Sequence, residues 1–288
     1  MNFEKLSPNL IPELLAARLN ELKTVLGKMQ RSVKTPPPGR LRISQKSHYT
    51  EFYHITSSSN SRGTYISKSK ISLARQLAQK DYDSKIIAAL KEEIRATQRY
   101  LKQIWGGTGN SQKAFRETKL SHLYTKLCPA RQRLITPLTL TDVQYTAQWL
   151  SITWQGRPFT EDTPVYTTTR DERVRSKSEV LIADALTRHN IPYRYEYPLQ
   201  LRRATKDAST ITLYPDFLCL NVRTRAEFYW EHLGLMDNPE YSNNAAGKLR
   251  LYTENGILAG RNLILTMETQ DEPLSTRTVE QLIEAYLT

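Results

Sequence analysis

Residues 210–233 read TITLYPDFLCLNVRTRAEFYWEHL. Two runs rich in β-branched and aromatic residues, 210–221 and 227–233, flank a short polar stretch, which is how two neighbouring strands of a buried sheet read. Upstream, 193–202 has the same character and 176–189 has helical spacing of its apolar residues. Downstream, 239–254 reads as a helix, 262–268 as a strand and 276–287 as a helix. The order α-β-β-β-α-β-α over about 115 residues predicts an α/β domain built round one sheet.

Acids stand in places where acids are costly. Asp216 in Tyr214-Pro215-Asp216-Phe217 and Glu231 in Tyr229-Trp230-Glu231-His232 lie within strands that are otherwise almost wholly apolar. A carboxylate there needs a cation, and a divalent metal is the simplest common one, because Mg²⁺ takes oxygen ligands from one or two carboxylates. Asn244, Lys248 and Tyr252 recur every four residues and share one helix face, so a lysine can be aimed back at the same place. Glu179, in Ser176-Lys-Ser-Glu179, has a second reading as the acid of a helix capping box. Asp216 could be a turn residue at a strand end, and Glu231 could form a structural ion pair with Lys248. His232 falls on the strand face opposite Glu231 and reads, with Trp230 and Phe228, as core. Tyr252 is either a packed aromatic or a site neighbour.

The helix with Glu179, the strand with Pro215-Asp216, the strand with Glu231 and the helix with Lys248 together resemble the PD-(D/E)XK, or restriction-endonuclease-like, nuclease superfamily over roughly 173–287. The resemblance implies a restriction-endonuclease-like α-β-β-β-α-β core and a Mg²⁺-dependent deoxyribonuclease, an endonuclease, with Mn²⁺ able to substitute. It implies Asp216 and Glu231 as metal ligands, Glu179 as the supporting acid and Lys248 as the catalytic cation, with Asn244 and Tyr252 as possible neighbours. The superfamily pattern has its lysine two residues after the second acid, where this chain has Leu233. Lys248 is nominated because some members carry the lysine on the following helix. An alternative reading keeps the nuclease fold as a catalytically silent module that binds nucleic acid or a partner in a larger complex, for instance of phage defence or a mobile element.

The first half has another character. Leu10, Leu14, Leu15, Leu19, Leu22, Val25, Leu26 and Met29 recur at helical spacing between Ser7-Pro8 and the triple proline 36–38. Residues 40–44, 49–55 and 64–66 alternate like the strands of a small β-hairpin or three-stranded sheet, and 69–105 returns to helix. Gly106-Gly-Thr-Gly-Asn110 breaks that helix; with no strand before it and no Lys-Ser/Thr after it, it does not read as a phosphate loop. Shorter helices are predicted over 111–127 and 141–150, and the Pro- and Thr-rich stretch that follows reads as a connector. The predicted division is a basic, mainly helical domain over 1–155, a connector over 156–172 and the nuclease-like domain over 173–288.

Charge separates the halves. The chain of 288 residues carries a formal charge of +12. Residues 1–170 hold 27 basic against 12 acidic side chains, and 171–288 hold 14 against 17. So strong a positive field attracts polyanions, of which nucleic acid is the commonest, and a solvated basic surface is the plainer reading. Arg40, Arg42, Lys46, Lys68, Lys70 and Arg75 are the predicted phosphate grip, and the nuclease resemblance alone places DNA ahead of RNA. The N-terminal helices could also dock a protein partner or a second copy. Two distant cysteines, Cys128 and Cys219, suggest neither a disulfide framework nor a zinc site. No apolar run approaches the roughly 18 residues of a membrane span, so the sequence predicts a soluble cytoplasmic protein without membrane contact.

Overall fold

The computed structural model describes residues 3–32, 36–57, 61–104, 118–160, 163–203 and 209–288. The fold is mixed α/β, with a helical N-terminal region and several small sheets. The chain divides into two compact units, one of residues 9–132 and one of 1–8 with 133–288. The glycine run 106–110 and the first part of the helix predicted over 111–127 lie outside the described residues.

In the 9–132 unit, α1 (Ile11–Ser32) and α2 (Ile71–Ile104) are joined through Leu15, Leu19, Leu22 and Leu26 on one and Leu90, Ile94 and Leu101 on the other. Those α1 positions fall on one stripe of a helix, which is why this face and not another is buried. Arg18 pairs with Glu93 at 3.2 Å beside the seam. Between the helices, β1 (Arg40–Gln45), β2 (Thr50–Ile55) and β3 (Thr64–Tyr65) form an antiparallel sheet in that order. Leu41 and Phe52 from one face of it pack with Ile66, Ala74 and Leu77. Lys80 of α2 fastens the sheet's entry by donating to the carbonyls of Pro37 (2.9 Å) and Gly39 (3.0 Å). Gly39 itself has φ +88° and lies so close to the Ile55 carbonyl that a Cβ would stand 2.3 Å from it, so only glycine fits. Two short helices, α3 (Lys119–Thr125) and α4 (Pro129–Gln132), close the unit.

The other unit is centred on a four-stranded sheet. Its strands β6 (Tyr193–Tyr195), β9 (Phe217–Asn221), β10 (Ala226–Leu233) and β11 (Leu263–Met267) lie in the order β11-β10-β9-β6. β10 is antiparallel to β9 and parallel to β11, reached through helix α7 (Pro239–Glu254). On one face, α6 (Lys177–Arg188) and α8 (Thr276–Tyr286) cover Phe217, Cys219, Trp230 and Ile264 with Ile182, Leu186, Val279 and Ile283. On the other, Tyr252 of α7 packs with Leu263 and Tyr229. Every residue of β9 is buried, as a central strand covered on both faces must be.

Two long strands predicted from the sequence are each broken in two. Instead of 193–202, β6 ends at Tyr195 and β7 (Leu199–Arg202) follows; instead of 210–221, β8 (Thr210–Leu213) precedes β9. β7 and β8 pair with each other in a separate hairpin. Pro198 and Pro215 sit at the breaks, where they have no N–H for a ladder, and Glu196 turns the chain with φ +47°.

The division also differs from the predicted boundary at 155. Helix α5 (Asp142–Leu150) belongs with the sheet, because Tyr145 and Trp149, one turn apart, bury against Leu218 and Leu220. Trp149 donates from Nε1 to Glu227 at 2.6 Å, and its ring stands 3.9 Å from the guanidinium of Arg194, which is 1% exposed. Segment 156–172 is likewise no loose connector. Arg173 and Arg175 both stack on Phe159 at 4.4 Å, Arg175 donates to the Arg157 carbonyl, and β4 (Tyr166–Thr167) pairs with β5 (Arg173–Val174). No helix among the described residues is long and apolar enough to cross a membrane.

Candidate functional site

β9 and β10 run antiparallel with Phe217 opposite Trp230, so the next step of the register sets Asp216 beside Glu231. Both side chains share the sheet face of Leu218 and Tyr229, the face that α7 covers. Asparagine at 238 caps α7 by accepting from the N–H groups of Glu240 and Tyr241, and Pro239 opens the helix without a donor to waste. This fixes the helical phase that brings Lys248 and Tyr252 down on Glu231.

Glu231 is 2% exposed and has one donor on each carboxylate oxygen. Lys248 Nζ meets its Oε2 at 2.7 Å, and the Tyr252 hydroxyl donates to its Oε1. Burial and then the Glu231 charge push the Tyr252 phenol upward, so it stays a donor. Asp216 is half-buried and accepts from the backbone N–H of His232 at 2.6 Å. Burial, and next the neighbouring Glu231, hold the Asp216 carboxyl well above the usual range, against the opposing pull of Lys248. Glu179 adds to the same upward push from further off.

Only half of a capping box forms at Glu179: Ser176 caps the helix, but the carboxylate does not accept from the Ser176 N–H. Glu179 accepts from Ser176 Oγ (3.0 Å), the Arg175 N–H (2.8 Å) and the Tyr195 hydroxyl (2.7 Å), while its own N–H donates to Ser176 Oγ (3.2 Å). Asn244, one turn before Lys248 on α7, is exposed. The cluster therefore joins Asp216, Glu231, Lys248 and Tyr252 closely, with Glu179 as an electrostatic neighbour and Asn244 outside it.

His232 occupies the opposite face, as its strand position dictates. Its Nδ1 lies 3.1 Å from Thr266 Oγ1 and its Nε2 3.2 Å from Glu268. Glu268 also accepts from Ser178 Oγ (2.8 Å) and the Leu274 N–H (3.0 Å). Burial pushes its carboxyl up, but these donors outweigh burial and bring it below the usual range. Sequence reasoning missed this support. Ser178 and Glu268 are 90 residues apart, and the spacing of neither carries a signal.

The six predicted grip residues all lie in the 9–132 unit. Arg40 and Arg42 take alternate positions on β1, Lys46 follows that strand, Lys68 and Lys70 form a single 3₁₀ turn, and Arg75 is in the first turns of α2. All but the partly covered Arg42 are exposed.

Two adjacent carboxylates face one lysine, and Asp216 is held above its usual range by burial first and by the Glu231 charge second. Such a donor set fits a hard divalent cation, since each oxygen of Glu231 keeps a lone pair beyond the one already used. Among the described residues no group of three or more His, Cys, Asp or Glu side chains is placed to hold a metal ion, so water or phosphate oxygens would complete the shell of such an ion. Compared with protein-family models, curated proteins and solved structures, the chain matches none.

Proposed function

We propose that this chain is a Mg²⁺-dependent endonuclease that hydrolyses DNA phosphodiester bonds, with a restriction-endonuclease-like core in the sheet unit and the 9–132 unit gripping the DNA. The observation that carries the reading is the cluster itself: two carboxylates at adjoining strand positions, one held above its usual range by burial and then by the other's charge, with a lysine from the next helix 2.7 Å from the other. Asp216 and Glu231 would hold the ion, which when bound supplies an activated water and neutralises charge on the phosphate oxygens. The protein's own groups do the rest. Tyr252 and the His232 N–H fix the two carboxylates in place, and Lys248, held 2.7 Å from Glu231 with its side chain 30% exposed, would add positive charge beside a bound phosphate. Glu179 raises the negative potential that attracts the ion.

A second reading has its own support. Lys248 and Tyr252 engage both oxygens of Glu231, as in a structural ion pair, which a silent nuclease-fold binding module would also show.

Incubation with plasmid, linear DNA, single-stranded DNA and RNA, in Mg²⁺, Mn²⁺ or EDTA and beside an Asp216→Ala control, separates the two. Plasmid cleavage that requires both metal and Asp216 is the expected result. Binding without hydrolysis of any substrate transfers the reading to the silent module, and cleavage that survives both Asp216→Ala and Glu231→Ala overturns the site.

A further inference from the structure

The sheet of the 9–132 unit has a second face, opposite the one that packs on α2, on which Arg40 and Tyr65 are exposed and Arg42, Glu51 and Tyr53 half-buried. Leu41 and Phe52 point into the core with Ile66 and Leu77, so the alternate residues Arg40, Arg42, Tyr53 and Tyr65 project the other way. Arg42 is directly opposite Tyr53 in the register, and Tyr53 is directly opposite Tyr65. The Arg42 guanidinium lies 4.2 Å over the Tyr53 ring, and Tyr65 meets that ring edge-on at 5.8 Å. The stack is held in place: Tyr53 donates to Glu51 Oε2 at 2.9 Å, and Arg42 Nε donates to the Arg62 carbonyl at 3.1 Å. Tyr65 remains 55% exposed. The unit that carries this face holds 23 Lys and Arg against 8 Asp and Glu, while the rest of the chain holds 18 against 21. The whole positive excess of the protein is therefore in this unit.

We infer that this outward face binds single-stranded nucleic acid by stacking unpaired bases on Tyr65 and on the Tyr53-backed plane of Arg42. The occupant follows from charge and shape together. A face with Arg40 and Arg42 against the single acid Glu51, on a unit with a large basic excess, selects a polyanion, and planar groups fixed in advance offer a π-surface that an unpaired base can use but a base already stacked inside a duplex cannot. Arg62, Arg40 and Lys46 lie on this sheet or its connecting loops, all exposed, and supply phosphate contacts that follow the backbone without reading sequence. A base needs only its ring face for such a contact, so DNA and RNA share the chemistry. The inference deepens the proposed nucleic-acid grip and rests on that part of it, not on hydrolysis.

The test uses the full chain in EDTA, so that cleavage plays no part, with fluorescently labelled single-stranded DNA, single-stranded RNA and duplex DNA of one sequence. The expected result is tighter binding of one or both single strands than of the duplex. Tyr65→Ala should weaken single-strand binding by about tenfold with duplex binding almost unchanged, since stacking on an aromatic side chain is worth roughly that much. Arg42→Lys keeps the charge and removes the plane, so it should produce a smaller loss in the same direction. Tyr65→Phe should retain the affinity of the parent. Tyr65 is outside the core, and unchanged circular dichroism will show that the variant is folded. The DNA and RNA arms name which strand is preferred, and either preference supports the proposal. Equal affinity for single strand and duplex, or equal loss on both when Tyr65 is removed, overturns it. A chain that binds single strands in this way but cleaves nothing in Mg²⁺ would overturn only the nuclease reading.

Discussion

In the sheet unit the informative charges are wholly or partly buried and face one another, whereas in the 9–132 unit the predicted grip charges are mostly exposed and basic side chains outnumber acidic ones by 23 to 8. Glu231 is 2% exposed and is matched atom for atom by Lys248 and Tyr252, while Arg40, Lys46, Lys68, Lys70 and Arg75 have water round them. Buried charge is held by geometry, so one substitution changes it sharply; exposed charge acts through its sum and is weakened by salt. The two units should therefore fail differently, and four measurements can break or sharpen that contrast.

The largest effect belongs to the carboxylates. Asp216→Ala should lower Mg²⁺-dependent cleavage by about a thousandfold, which corresponds to about 4 kcal/mol of transition-state stabilisation. Binding of the same DNA in EDTA should not weaken. A parallel loss of binding would mean that the two units do not divide the work as proposed.

Next is stability. Trp149→Ala empties a fully buried site against Leu218 and Leu220 and should destabilise the sheet unit by about 3–5 kcal/mol. Urea denaturation followed by tryptophan fluorescence reads mainly this unit, because Trp149, Trp154 and Trp230 lie in it. A loss below 1 kcal/mol would restore the boundary to residue 155.

A smaller, graded change is expected at the basic surface. Replacing Arg40 and Lys46 together by alanine should weaken duplex and single-strand binding alike. The slope of log affinity against log salt should fall by about 0.7–0.9 for each phosphate that is no longer neutralised. An unchanged slope would remove these two residues from the grip.

The smallest effect is a pH-dependent stability. In the folded chain Asp216 titrates above its ordinary value of 3.8, so above that value the folded state keeps a proton that the unfolded state has released. Stability then falls as pH rises from 3.8 to the raised folded value, and the fall is complete above both. Asp216→Asn escapes this fall while keeping an acceptor for the His232 N–H. It should therefore melt higher than the parent at neutral pH, and the gap should close as pH drops below 3.8. Excess Mg²⁺ should raise the melting temperature of the parent and not of the variant, because only the parent keeps both carboxylates.

Much of the sheet unit was legible because its signals are local. The helix over 239–254, the apolar run that becomes β10 and the acids out of place at 216 and 231 are all properties of a few adjacent residues. The same holds for the helix starting at Ser176 and for His232 facing away from Glu231. The broken strands were misread because a proline inside an apolar run changes which sheet the chain joins, and periodicity alone does not register that choice. Helix α5 was assigned to the wrong side because its amphipathic stripe shows that it must bury one face but does not name the surface that receives it.

The sequence by itself determined the order of elements, the imbalance of charge and the candidate acids, since each depends on residue type and short-range spacing. Only the tertiary structure decided that Asp216 stands beside Glu231, that Lys248 and Tyr252 close on the same carboxylate, and that Ser178 and Glu268 meet across 90 residues. It also decided which face of the small sheet packs on α2, with Arg42 stacked on Tyr53 on the other. These are meetings of distant parts of the chain, and they follow from strand register and helix docking, which depend on how all the buried side chains pack at once.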